Sequence, residues 1–197
     1  MGTYITSYAD ERNWENEWQR EYKYGIILVL PPEPHRSRIN ELRRRYAPSE
    51  AESCDAHISL SVQVPRPVTA AHVAEVRDKL RTIEPFAIQY GPLVVKPAHR
   101  GVILEIGPQD TLEALLKTVE ATCLFEGALK RKYPYRAHMT ITEFVTWEQT
   151  YQIIEELKDL PLSGEFMLNY LSYIVPDDAF RFTERAKIPL GTQEFAF

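Results

Sequence analysis

The sequence predicts a two-lobed α+β protein, and three observations carry that prediction. Short apolar strands alternate with amphipathic helices along the chain. The order helix, histidine-bearing strand, helix, strand pair occurs twice, as a duplication of about 80 residues per half. No low-complexity segment or long linker separates the halves, so both belong to one compact body.

The elements follow in order. Residues 10–22 carry Trp14, Trp18 and Tyr22 at helical spacing with charges between them, which reads as a short amphipathic helix whose aromatic stripe packs on the body. Residues 1–22 form an N-terminal extension, and residues 23–191 the main domain. Tyr24 to Leu30 is a buried strand stopped by Pro31-Pro32, and Arg36 to Tyr46 a helix. A strand at 56–64 ends before Pro65 and Pro67. Thr69 caps a helix running to about Ile83. Strands follow at 86–90, 93–96 and 101–106, and then a helix from an Asp110 cap to Leu124. The second half continues with a strand at 137–144, a helix at 148–160 and two long strands at 164–175 and 180–188, with Pro176-Asp177-Asp178 as the turn.

Composition narrows the function. The chain has 197 residues, 44% hydrophobic and 26% charged, with a formal net charge of −5. That balance argues against a basic face for duplex DNA, which needs clustered Lys and Arg, but leaves room for a pocket that binds one phosphate. The two cysteines, Cys54 and Cys123, form no metal-ligand spacing and no disulfide framework, so neither metal nor cofactor is expected. No apolar run reaches the length of a membrane span, and the N-terminus lacks a signal-peptide core, so a cytoplasmic monomer is expected.

The chemistry-bearing pattern is a matched pair. His57-Ile58-Ser59 and His138-Met139-Thr140 both lie within strands, where residues i and i+2 share a face. Ile58, Leu60 and Val62 take the opposite face of the first strand, Met139 and Ile141 that of the second. Each strand buries one side and presents a histidine and a hydroxyl on the other. His35-Arg36-Ser37 has the same tripeptide spacing but sits at a loop-to-helix boundary. Two facing imidazoles suit displacement at phosphorus, because one can accept a proton while the other donates one. Ser59 and Thr140 can donate to the non-bridging phosphate oxygens.

Other residues carry weaker signals. Arg136 shares the parity of His138 and can bind phosphate or sit in a solvated connector. Lys130, Arg131 and Lys132 read as an anion-attracting rim. Tyr133, Tyr135, Phe144 and Tyr24 are candidates for stacking on a base, set against plain packing. Arg43-Arg44-Arg45 reads as a solvated helix face, and His72 and His99 as surface histidines.

With these motifs, His57-Ile58-Ser59-Leu60 and His138-Met139-Thr140-Ile141, the chain resembles the two-histidine (2H) phosphoesterase superfamily, which includes 2′-5′ RNA ligase-like and cyclic phosphodiesterase proteins. The resemblance covers about residues 24–190. It implies a bilobal fold of two antiparallel sheets around a central cleft, with helices outside. It also implies metal-independent opening of a 2′,3′-cyclic nucleotide or related cyclic phosphate on an RNA end or ADP-ribose, with His57 and His138 as the acid–base pair. Which histidine is base and which acid stays open. The alternatives are RNA-end processing or ligation and a non-catalytic nucleotide-binding module.

Overall fold

The computed structural model describes residues 7–96 and 100–192. Eight strands of the described residues form one antiparallel sheet: β1 (Ile26–Val29), β2 (Ile58–Gln63), β3 (Phe86–Lys96), β4 (Gly101–Gly107), β5 (His138–Thr142), β6 (Gly164–Leu168), β7 (Tyr170–Pro176) and β8 (Phe182–Pro189). Their order is β6-β3-β4-β5-β2-β1-β7-β8. Among the described residues five α-helices accompany them: α1 (His35–Tyr46), α2 (Pro48–Ser53), α3 (Ala70–Leu80), α4 (Gln109–Glu120) and α5 (Trp147–Leu157). The fold is α+β, as expected. The two expected sheets are instead two four-stranded halves of one curled sheet, joined through β2 and β5 at the pair Ile58–Met139.

The halves in space are not the halves in sequence. One lobe is continuous in the chain, from β3 to β6. The other is assembled from its ends, with β1 and β2 meeting β7 and β8. The expected 164–175 strand therefore breaks at Asn169, where the chain crosses between lobes and the Asn169 carbonyl accepts from the Leu190 N–H. The alternation pattern fixes which face a residue takes, but not which strand pairs with which. Conversely, the strands expected at 86–90 and 93–96 merge into β3, with a register shift between Tyr90 and Leu93. Gly91 sits there at φ +97°, where a Cβ would lie 2.7 Å from the Leu162 carbonyl oxygen.

One sheet face packs on helices. Ile58 and Leu60 of β2 and Met139 and Ile141 of β5 are fully buried, in one core with Ile39 of α1, Leu80 of α3, Leu112 of α4 and Leu157 of α5. Burying each such side chain contributes about 1.5–3 kcal/mol. The helices cross over: α1 packs on β5 and α4 on β2. Thr69 caps α3 as expected, its hydroxyl accepting from the His72 N–H. The α4 cap is Pro108, not Asp110, which lies inside the first turn. The expected 10–22 helix is two short 3₁₀ turns, at Glu11–Asn13 and Glu17–Tyr22. Among the described residues, no helix is long and apolar enough to cross a membrane.

Candidate active site

His57 immediately precedes β2 and His138 opens β5. Because Ile58 pairs with Met139, extending the antiparallel register one residue each way sets His57 opposite Thr140 and Ser59 opposite His138. All four line one cleft of about 550 Å³.

The two sides repeat one local device. The His57 Nδ1–H donates to the Asp55 carbonyl at 2.7 Å, and the His138 Nδ1–H to the Arg136 carbonyl at 2.8 Å. A carbonyl can only accept, so Nδ1 carries the proton in each neutral ring and Nε2 is the basic nitrogen. The residue before each histidine is pinned by a helix amide. Asn40 of α1 accepts from the Ala56 N–H at 2.7 Å, and Gln109 of α4 from the Ala137 N–H at 2.9 Å. Asn40 also donates to Asp55, and Gln109 to the carbonyls of Ile106 and Ala137.

The surroundings differ. Burial pushes the His57 imidazole down to about 4; its bond to the Asp55 carbonyl opposes this, and the nearby Arg43 and His138 add to it. His57 is therefore neutral at neutral pH. Cys54 lies 3.4 Å from its Nδ1, and burial raises that thiol to about 12, so it is not a thiolate nucleophile. On the other side, the Lys96 ammonium, at the end of β3, is 3.1 Å from His138 Nε2 and 2.7 Å from the Glu143 carboxylate. This trio brings a cation to the cleft beside the histidine.

A second recess of about 750 Å³ adjoins the first and shares Ser59, His138 and Lys96 with it. Arg131, Tyr133, Tyr135 and Arg136 line it. Arg136 pairs with Glu105, and Arg131 with Glu120 and the Leu60 carbonyl while its guanidinium covers the Tyr135 ring. Tyr135 donates to the Ser59 carbonyl at 3.2 Å, and Tyr133 is largely exposed. Lys130 and Lys132 also line the recess.

Several sequence expectations are corrected. Tyr24 does not reach the cleft: its ring meets Tyr8 edge-on and packs on the core, and its carbonyl accepts from Tyr173. Phe144 falls outside as well, because β5 ends at Thr142 and Phe144 adopts φ +61°, exposed. Arg43 is not solvated. It is buried, donating to the Cys54 and Glu50 carbonyls, and lines the cleft. Its place in the stripe Ile39, Arg43, Tyr46 was the available signal. His35 bonds the Tyr90 hydroxyl beside Phe166, and His72 caps α3. His99 lies outside the described residues. Sequence reasoning did not single out Lys96, Glu143, Phe180 or Phe182, all of which line the cleft. Lys96 shows only as a charge ending the apolar run Leu93-Val94-Val95. Trp18 and Tyr22, read as packing, also line it.

A model of the 2′-5′ RNA ligase superfamily matches residues 31–179. The chain belongs to that superfamily, the 2H phosphoesterases. Among solved structures it is similar to Escherichia coli LigT in complex with 3′-AMP, at 17% identity and TM-score 0.57, covering 85% of this chain and 97% of that one. It is also similar to a phosphoesterase at 16% identity and TM-score 0.56, with 85% and 97% covered. A third is a Thermus thermophilus protein, TT0787, at 12% identity and TM-score 0.54, with 85% and 98% covered. At these identities the likeness concerns the fold. No curated protein sequence matches the chain.

Proposed function

We propose that the protein is a metal-independent phosphodiesterase that opens a cyclic phosphate, of the 2′,3′-cyclic nucleotide kind. The observation that supports this reading most is the paired imidazoles. Each commits Nδ1 to the carbonyl two residues upstream, so both basic Nε2 atoms serve the same cleft. His57, held neutral by burial, takes the proton from water as the water oxygen bonds to phosphorus. One bridging P–O bond breaks, and His138 supplies the proton to the departing ribose oxygen. The product is a phosphomonoester. Ser59, Thr140 and Lys96 hold the non-bridging oxygens. Before that bond breaks, Lys96 turns from His138 toward the phosphate, and the freed Nε2 takes from solvent the proton that it gives to the leaving oxygen.

The free thiols Cys54 and Cys123 fit the cytoplasm. The basic residues beside the second recess favour RNA-end processing as a second reading. Against it, Arg131 and Arg136 are already paired with carboxylates.

The test is hydrolysis of 2′,3′-cyclic AMP in EDTA. Each general acid or base contributes about 10²–10⁴-fold. His57→Ala and His138→Ala are therefore each expected to lower kcat by about 10³-fold, with melting temperatures close to wild type. Full activity in both variants overturns the reading. Nucleotide binding without turnover of any cyclic phosphate or RNA end marks a binding module instead.

A further inference from the structure

Residues 8–23 precede the segment that matches the family and lie along one wall of the cleft. The strap is fastened at several points. The Asp10 N–H donates to Asp178 at 3.0 Å and the Trp14 indole N–H to the Asp177 carbonyl at 3.0 Å, while Lys23 pairs with Glu11 inside the strap at 3.1 Å. Its partner is the turn between β7 and β8. There Phe180 holds φ +58°, a left-handed conformation that is costly for an aromatic residue. That conformation sets the Phe180 ring in the middle of a cluster, edge to face with Trp14 at 5.3 Å, Trp18 at 5.4 Å and Tyr22 at 6.1 Å.

Trp14 and Phe180 account for the docking, since both are buried. Trp18 does not. It leaves 55% of its surface open, at the mouth of the cleft that contains His57 and His138. Tyr22 and Phe182 continue the same wall. The cleft thus has a polar end with two imidazoles and two hydroxyls, and an apolar aromatic end supplied by the strap and its turn. Its volume, about 550 Å³, is that of a site for a small ligand. A ligand spanning both ends has a phosphate at one and a flat aromatic ring at the other.

We propose that Trp18, with Tyr22 and Phe182 beside it, forms a base-stacking site for the nucleobase of a nucleotide whose phosphate lies between His57 and His138. The strap would thereby set substrate choice in a reaction whose chemistry lies elsewhere. This rests on the cyclic-phosphate reading for its reaction, but not for its binding.

The experiment compares wild type with Trp18→Ala and Trp18→Phe. Stacking on one aromatic side chain is worth about 10-fold or more in affinity. Wild type is expected to bind adenosine 3′-monophosphate at least 10-fold tighter than ribose 5-phosphate, measured by calorimetry. Trp18→Ala is expected to remove most of that preference, and Trp18→Phe to restore part of it. In kinetics, Trp18→Ala is expected to narrow the kcat/KM ratio of 2′,3′-cyclic AMP over glycerol 1,2-cyclic phosphate about 10-fold, mainly through KM. An undiminished preference in Trp18→Ala, or none in wild type, overturns the base site. If wild type hydrolyses neither cyclic phosphate but keeps the binding preference, the base site stands and the hydrolase reading falls.

Discussion

Asn40 and Gln109 perform the same task on opposite sides of the cleft, yet the histidines they serve have different neighbours. Each amide accepts from the N–H of the alanine before its histidine, and each histidine turns Nδ1 onto the carbonyl two residues upstream. Beyond that shared frame, His57 is half-buried beside Cys54 and Arg43, whereas His138 meets Lys96, which in turn pairs with Glu143. The comparison separates two requirements. Repeated backbone geometry points two identical groups at one substrate, while their unlike surroundings place burial around one and a cation beside the other.

The largest test of this asymmetry falls on Lys96. Removing its charge in Lys96→Met is expected to lower kcat/KM for a cyclic nucleotide by about 10²-fold, the cost typical of a lost electrostatic donor. The pH profile should change on the limb set by His138, while the limb set by His57 stays in place. A shift of both limbs would mean that Lys96 acts on the whole cleft.

The amide pins come next. Asn40→Ala and Gln109→Ala each leave a buried backbone N–H without its partner, which costs about 1–3 kcal/mol. Similar losses in denaturant midpoint are expected for both, with activity falling in parallel. A marked loss in only one variant would break the equivalence of the two sides.

The last test concerns pH and stability. The His57 imidazole is pushed down to about 4 in the folded protein, against about 6.5 in an unfolded chain. Between those values the unfolded chain binds a proton that the folded one refuses. Folding stability is therefore retained above about pH 6.5 and declines as the pH falls toward 4. Urea midpoints at pH 7 and pH 4.5 should show a shallower decline in His57→Gln than in wild type.

Alternation along two strands made the heart of the site readable, because His57, Ser59, His138 and Thr140 need only a period of two and a buried opposite face. The same rule failed where the strand stopped being regular. Phe144 lies past the end of β5, and Ser61 is buried although its parity points outward. At Ser61 the β1–β2 register shifts, and its hydroxyl accepts from the Ile27 N–H at 3.0 Å. Lys96, Phe180 and Trp18 reach the cleft from distant parts of the chain, and their position depends on strand pairing that local pattern does not encode. Arg43 was misread because a charge on a helix is normally solvated, whereas here two backbone carbonyls satisfy it in the interior.

The interleaved lobes also bear on how the molecule is made. β1 pairs on one side with β2 and on the other with β7, so a strand near residue 28 waits for one near residue 172. On a ribosome, the lobe from β3 to β6 has all its strands before β7 emerges, while His57 sits beside a half-built lobe until the last hairpin arrives. That hairpin also brings Phe180 and Phe182, the aromatic wall of the cleft. The site is therefore completed only after β7 and β8 have emerged, and a nascent chain carries both imidazoles before it has a pocket to hold a substrate against them.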